Sequence, residues 1–164
     1  METLLPDDIL ALARRVVEEN AKLGRTIALA ESCTGGLVAA AITEIPGSSA
    51  VLDRGFVTYS NEAKHQMLGV SEDIIDTLGA VSVATACAMA QGAIKHSRAD
   101  VAVAISGVAG PDGGTAQKPV GTVVFAKAER GRTEINAEEM RLGELGRGGI
   151  RYKAVLVALE LLLP

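Results

Sequence analysis

Three polar, glycine-rich segments carry the side chains with which this 164-residue chain could do chemistry. The first segment, residues 31–36, follows an apolar stretch of strand length and precedes a predicted helix. Hydroxyl groups beside free helix amides are suited to binding an anion or a carbonyl oxygen. The same segment is equally typical of a capping turn, in which Ser32 or Thr34 bonds the first helical amides while Gly35 and Gly36 allow close packing.

The second segment combines a serine-rich turn with a lysine. Ser48 and Ser49 precede a predicted strand, and Lys64 lies one turn into the short helix predicted after that strand. A serine without a histidine can act as a nucleophile if a lysine amine with a lowered pKa accepts its proton. Tyr59 would stand beside that amine and relay a proton or hold a ring. The alternative interpretation gives these residues no function: the serines belong to an ordinary loop, and Lys64 is a solvated surface side chain.

The third segment, residues 106–115, leaves a strand that is apolar on both faces. Ligand sites in open α/β sheets lie beyond the carboxyl ends of strands, which is where this loop is expected. Ser106 ends the strand, and glycines such as Gly107 and Gly110 let backbone amides approach a substrate closely. A plain β-turn explains the same residues.

Two arginines at the start of the last predicted helix are candidates for holding a phosphate. Arg147 and Arg151 are four residues apart, so both can face one side and bind by forked hydrogen bonds. Arg54 and Lys118 are further candidate cations, and paired arginines at a helix start can also be merely solvated. Cys33 is expected to be a packed thiol, because no histidine lies near it.

Composition excludes several classes of function. The two histidines fall on separate predicted helices, no His/Cys/carboxylate spacing resembles a metal site, and no phosphate-loop or dinucleotide motif occurs. A net charge of −4 and four aromatic residues argue against nucleic-acid binding. No apolar run approaches the ~20 residues that span a bilayer, and two cysteines indicate free thiols in a reducing compartment. We therefore expect a soluble, cytoplasmic protein with no cofactor, no nucleic-acid partner and no membrane partner.

Strand and helix patterns alternate along the chain and end in a pair of strands followed by an apolar helix. This order predicts a three-layer α/β/α sandwich with a mixed, mostly parallel sheet, in a single domain over residues 1–164. The small-residue faces and the apolar last helix are compatible with a homo-oligomer. The predicted strands are 26–30, 51–59, 101–105, 120–127 and 133–141, and the predicted helices are 9–23, 37–43, 61–68, one capped by Ser71, one opened by Ser82, and 150–163.

Several blocks of the sequence, taken together, resemble the CinA C-terminal domain family in the same order and over nearly the whole chain. The stretch 143–151 departs from the Gly-Asp-Arg pattern expected there, and longer relatives carry an extra N-terminal domain that this sequence lacks. The blocks are residues 30–36, 47–49, 54–64, 69–70, 79–82, 106–114 and 118–123.

The resemblance implies an α/β/α fold and a metal-free amidohydrolase that converts nicotinamide mononucleotide to nicotinic acid mononucleotide and ammonia. It also implies a serine nucleophile in the 47–49 turn, Ser49 before Ser48, working with Lys64 and Tyr59. Ser32, Thr34 and Ser106 would line the pocket. The alternatives are a non-catalytic nucleotide-sensing or partner-binding module of the same fold, and an amidase for another small carboxamide.

Overall fold

Helices and strands alternate along the chain in the computed structural model, which describes residues 2–164. A 3₁₀ turn, Ser48–Ala50, lies just before the second strand. The strands are β1 (Ile27–Glu31), β2 (Leu52–Val57), β3 (Val101–Gly107), β4 (Thr122–Glu129) and β5 (Asn136–Arg141). The helices are α1 (Asp7–Lys22), α2 (Leu37–Thr43), α3 (Asn61–Leu68), α4 (Glu72–Leu78), α5 (Val83–Lys95) and α6 (Gly146–Leu162).

The strands form one mixed sheet in the order β2-β1-β3-β4-β5. β1 pairs in parallel with β2 and β3, whereas β4 is antiparallel to β3 and β5. Four strands therefore share one direction, and β4 runs against them. The last residue of β1, Glu31, is in register with Val57 of β2 and Ile105 of β3. The carboxyl ends of these three strands consequently meet at one edge of the sheet, where α/β proteins place their ligand sites.

Helices cover both faces of the sheet, because alternate strand residues point to opposite sides. On one face, Leu29 and Val103 pack against α1, α2 and α6. On the other face, Ala30 and Ala104 pack against α5. The strands thus present large side chains to one helix layer and mostly alanine to the other, so the second layer can lie close to the sheet.

Helix α3, which carries Lys64, is pressed against α5. A Cβ atom added to Gly92 of α5 would lie 2.1 Å from the backbone oxygen of Leu68, the last residue of α3. Only a residue without a side chain permits that approach. α3 is also capped at both ends: Ser60 Oγ accepts from the amide of Ala63, and Gly69 ends the helix in a left-handed conformation. This short helix is therefore held firmly relative to the sheet.

The predicted α/β/α architecture with a mixed, mostly parallel sheet is confirmed, and α2 and α3 have the predicted bounds. The last helix begins at Gly146, four residues earlier than predicted. Ser71 occupies the position before α4 but its side chain makes no capping hydrogen bond, whereas Ser82 caps α5 through the amide of Thr85. Within residues 2–164, no helix combines the length and apolar character needed to cross a membrane.

Candidate functional site

A cavity of about 280 Å³ opens at the edge where β1, β2 and β3 end. Four loops and the start of α6 surround it: the turn after β1, the connection from β2 to α3, the loop between α4 and α5, and the loop after β3. Its walls combine small apolar side chains with a few polar groups. The lining residues are Ser32, Cys33, Tyr59, Asn61, Lys64, Ala80, Val81, Ser106, Gly107, Val108, Ala109, Gly110, Asp112, Gly113 and Arg147.

The Lys64 amine lies at the centre of this cavity wall. Its Nζ atom is 3.1 Å from Ser32 Oγ, 3.0 Å from the backbone oxygen of Thr58 and 3.3 Å from that of Tyr59. The side chain is only 1% exposed. Among residues 2–164, no carboxylate forms an ion pair with it. Burial therefore lowers the pKa of the Lys64 amine below its ordinary value of 10.5.

Ser32 follows β1 directly and is held by both neighbouring strands. Its amide donates to the backbone oxygen of Ile105 at 2.9 Å, and the oxygen of the preceding residue, Glu31, accepts from the amide of Thr58 at 2.8 Å. The next two amides, those of Cys33 and Thr34, donate no hydrogen bond to any group in residues 2–164. Two unpaired donors thus lie beside a serine oxygen that contacts a lysine amine.

Arg147 bridges the mouth of the cavity. Its guanidinium donates to the backbone oxygen of Gly110 at 2.7 Å and to the hydroxyl of Tyr59 at 3.1 Å. Tyr59 is 59% exposed, so this contact forms at the rim of the cavity. Arg147 lies in the first turn of α6, so the start of this helix brings a cation to the cavity.

Ser106 closes the floor of the cavity. Its side chain is 1% exposed, and its hydroxyl donates to the backbone oxygen of Ala80 at 2.8 Å. Ala80 and Val81 belong to the loop before α5, so Ser106 ties the end of β3 to an apolar wall of the cavity. Gly107 must be a glycine, because a Cβ there would lie 2.8 Å from Val123 and 3.1 Å from Cys33 Sγ.

The structure does not bring Ser49 and Lys64 together. The turn that contains Ser48 and Ser49 precedes β2, and the amide of Ile27, the first residue of β1, donates to Val51 just after that turn. Lys64 follows the opposite end of β2. A strand of six residues spans about 20 Å at roughly 3.3 Å per residue. The two serines are therefore at the amino edge of the sheet, outside the reach of the lysine side chain, and neither lines the cavity.

Thr34, Gly35 and Gly36 lie beside the site without lining the cavity. Thr34 is fully buried, and its hydroxyl donates to the Glu31 carboxylate at 2.6 Å. The two glycines have φ values of 58° and 97°, which L-amino acids with side chains rarely adopt, and they connect β1 to α2. The structure places none of these three residues at the cavity surface, and the alternative of a structural turn fits them.

Arg151 faces away from the cavity. Its guanidinium donates to the backbone oxygens of Cys33 at 3.0 Å and Thr34 at 3.4 Å. Arg151 therefore stabilises the turn after β1. Two further candidate cations are also engaged elsewhere: Arg54 bonds Asp53 and His96, and Lys118 bonds Glu139 at 2.7 Å. Of the four cations considered for a phosphate, Arg147 alone lines the cavity.

Cys33 is a packed thiol, as expected from the sequence. It is 5% exposed, and burial raises the pKa of its thiol to about 11. The thiolate that a nucleophile or metal ligand requires is therefore scarce at neutral pH. Residues 2–164 contain no cluster of three His, Cys, Asp or Glu side chains able to hold a metal ion.

Sequence reasoning missed three polar residues of the site. Asn61 and Asp112 line the cavity, and the buried Glu31 carboxylate lies directly behind it. Asn61 and Glu31 fall inside segments that the sequence singled out, and their position in the chain was the available signal. Asp112 belongs to a Pro-Asp-Gly turn, for which a structural role is the ordinary interpretation.

The α/β/α fold and a serine–lysine pair at the carboxyl edge of its sheet define a domain class with counterparts among known proteins. A model of the CinA C-terminal domain matches residues 9–164, and the chain belongs to that family. A relative from Escherichia coli strain K12, named nicotinamide-nucleotide amidohydrolase PncC, is 50% identical over 155 residues, which cover 94% of this chain and 93% of that protein.

Longer and structural relatives agree with this assignment. A competence-damage inducible protein from Symbiobacterium thermophilum is 62% identical over 112 residues, 68% of this chain, but the match spans only 26% of that protein. The crystal structure of the competence/damage inducible protein CihA from Agrobacterium tumefaciens superposes with a TM-score of 0.94 at 54% identity, covering 98% of this chain and 96% of that one. The resemblance drawn from the sequence is thereby confirmed.

Proposed function

We propose that the protein is an amidohydrolase that converts nicotinamide mononucleotide to nicotinic acid mononucleotide and ammonia. The observation that carries this proposal is the 3.1 Å contact between Lys64 Nζ and Ser32 Oγ inside the cavity. The name of the Escherichia coli relative, which is nearly coextensive with this chain, supports the choice of substrate.

Ser32 takes the role of nucleophile that the sequence analysis gave to Ser49. A neutral amine has two N–H donors and one lone pair. If the two N–H groups of Lys64 donate to the backbone oxygens of Thr58 and Tyr59, the lone pair points at the Ser32 hydroxyl. The amine then accepts the serine proton as Oγ attacks the amide carbon. Burial favours this step, because it lowers the pKa of Lys64 and so increases the neutral fraction.

The attack converts the amide oxygen to an oxyanion, which needs hydrogen-bond donors aimed at it. The unpaired amide of Cys33, which lines the cavity directly after Ser32, supplies one. Amides fixed before the reaction starts stabilise a developing negative charge without reorganisation, and one such donor contributes about 10²–10³-fold to turnover.

The leaving group departs as ammonia after the Lys64 ammonium returns its proton to the amide nitrogen. Water then attacks the acyl-enzyme, with Lys64 again accepting a proton, and releases the carboxylate product. Tyr59 contributes its ring to the rim of the cavity and its hydroxyl to Arg147. No step requires a metal or an organic cofactor.

Arg147 is the proposed contact for the phosphate of the nucleotide. It lines the cavity, and a guanidinium forms charge-assisted, forked hydrogen bonds with phosphate oxygens. The small apolar side chains of Ala80, Val81 and Val108 form a wall suited to a flat pyridine ring.

Further properties of the protein stay predictions from the sequence. We expect a cytoplasmic location, because both cysteines are free thiols. The sequence also predicts a single domain and a homo-oligomer. It predicts no nucleic-acid partner and no membrane partner.

Ammonia release by the purified protein tests the proposal. We expect stoichiometric ammonia and nicotinic acid mononucleotide from nicotinamide mononucleotide, and slower release from nicotinamide or from asparagine. Saturable binding of the mononucleotide with no ammonia would instead favour a nucleotide-sensing module. Faster release from another small carboxamide would move the substrate assignment to that compound.

A further inference from the structure

Glu31 is a buried carboxylate next to Ser32, and the mechanism above gives it no part. Its side chain is 1% exposed. It forms no ion pair within residues 2–164, so hydrogen bonds compensate its burial. It accepts four of them: from Thr34 Oγ1 at 2.6 Å and from the amides of Gly36 at 3.1 Å, Val38 at 3.2 Å and Ala39 at 2.9 Å.

These four donors come from the turn after β1 and from the first residues of α2. A serine or asparagine in the position before a helix would satisfy one or two amides at the surface at low cost. A buried charge is the more expensive solution, because its desolvation must be offset by every one of its hydrogen bonds. The gain is a turn joined to the start of α2 by four hydrogen bonds to one buried carboxylate.

The turn contains the groups that the proposed chemistry needs in fixed positions. The strand contacts of Glu31 and Ser32 anchor its beginning, and α2 anchors its end. Between them, Cys33 and Thr34 carry the two unpaired amides. The Thr34 hydroxyl is the one side-chain contact from this pair of residues to the carboxylate, and at 2.6 Å it is the shortest of the four.

We propose that Glu31 and Thr34 are a positioning pair, in which the hydrogen bond between their side chains aims the amide of Cys33 at the oxygen that becomes negative when Ser32 attacks. Neither side chain touches the substrate. This inference rests on the proposed amidase function, since it assigns the turn to that reaction. It predicts that the pair acts on the chemical step and leaves substrate affinity alone, because catalytic donors lose efficiency when they are displaced by even 1 Å.

Four variants separate positioning from simple stability. Thr34→Val keeps the shape of the side chain and removes the hydroxyl, whereas Thr34→Ser keeps the hydroxyl. Asn20→Ala serves as the matched structural control: Asn20 is fully buried between α1 and α6, donates to Val16 and Leu162, and lies outside the cavity. Glu31→Gln should disturb the turn more strongly than Thr34→Val, because the NH₂ group of the glutamine would face backbone N–H donors.

For each variant, kcat and KM for nicotinamide mononucleotide are measured together with Tm and the rate at which a fluorophosphonate labels Ser32. We expect Thr34→Val to lower kcat by about 10–100-fold, to keep KM within about twofold, and to slow labelling by a factor similar to that in kcat. Thr34→Ser should restore both kcat and the labelling rate. Asn20→Ala should lower Tm at least as much as Thr34→Val does, but it should keep the kcat of the parent.

Unchanged kcat and labelling in Thr34→Val would overturn the inference, as would a loss that tracks Tm in the same way as in Asn20→Ala. If the parent protein releases no ammonia from the mononucleotide, the proposed function is wrong, and the labelling rate decides this inference alone. The positioning pair is supported if the parent is labelled at Ser32 and Thr34→Val is labelled at least tenfold more slowly. Equal rates, or no labelling of the parent, reject it.

Discussion

Lys64 Nζ and Ser32 Oγ lie 3.1 Å apart although 32 residues separate them in the chain. The contact exists because β1 and β2 are parallel neighbours whose carboxyl ends meet at one edge of the sheet. The turn after β1 and the helix after β2 therefore face each other across a cavity. The chemistry that we propose for the protein follows from this pair, and so do most of the predictions below.

Replacement of Lys64 by arginine should abolish hydrolysis over the whole accessible pH range. A guanidinium stays protonated and cannot accept the serine proton, although it keeps the positive charge. We expect kcat to fall by at least ~10²-fold. Activity that returns at high pH in Lys64→Arg would show that the amine is not the base.

The pH dependence of the parent should report the lowered pKa of Lys64. Hydrolysis requires the neutral amine, so kcat should rise with pH and level off below 10.5, the ordinary pKa of a lysine. A profile measured between pH 5 and pH 10 tests this expectation. A rate that keeps rising toward pH 10.5 would mean that burial does not perturb the amine.

Stability should respond to the same group. Because the pKa of Lys64 is lower in the folded than in the unfolded protein, the unfolded state binds more protons in the window between the two values. The free energy of unfolding of the parent should therefore rise with pH through that window, relative to a Lys64→Met variant. Urea denaturation of both proteins at several pH values measures this slope, and a difference that is independent of pH contradicts it.

Removal of the Arg147 side chain should weaken binding of the phosphate and little else. We expect Arg147→Ala to raise KM for nicotinamide mononucleotide by about 10–100-fold, since a hydrogen bond between charged groups contributes roughly 1.5–3 kcal/mol. Nicotinamide riboside, which has no phosphate, is the matched control, and its hydrolysis should change less than threefold. Equal losses with both substrates would assign Arg147 to the chemistry or to the fold.

Cys33 should be dispensable and unreactive in the folded protein. With the pKa of its thiol raised to about 11, iodoacetamide at pH 8 should leave Cys33 unmodified until the chain is unfolded. Cys33→Ala should keep kcat within about threefold of the parent. Rapid alkylation of the native protein together with loss of activity would contradict this interpretation.

Much of the fold could be predicted from local sequence signals. The glycine pair 35–36 and a capping residue, Ser60 or Asn61, placed α2 and α3 correctly, and the uniformly apolar stretch 101–105 identified a central strand. The start of α6 was placed too late, because its glycines argue against a helix, whereas in the folded chain Arg147 of that first turn bonds Gly110 and Tyr59. Local propensity cannot report that contribution.

The site was harder to predict, because it depends on which ends of the strands meet. The family resemblance suggested a nucleophile in the 47–49 turn, and Ser49 is also nearer than Ser32 to Lys64 along the chain. The strand predicted between Ser49 and Lys64 already separates them by its own length, which was the signal available. The buried role of Glu31 and the bridge from Arg147 to Tyr59 depend on side-chain directions that the sequence does not carry.

The most direct test of the account compares Ser32→Ala with Ser49→Ala in the release of ammonia from nicotinamide mononucleotide. Both changes remove one hydroxyl, but only Ser32 contacts the Lys64 amine. We predict that Ser32→Ala loses at least ~10²-fold in kcat and that Ser49→Ala keeps the parental rate, with both proteins folded by circular dichroism. Parental turnover by Ser32→Ala, or its loss in Ser49→Ala, would contradict the serine–lysine pair.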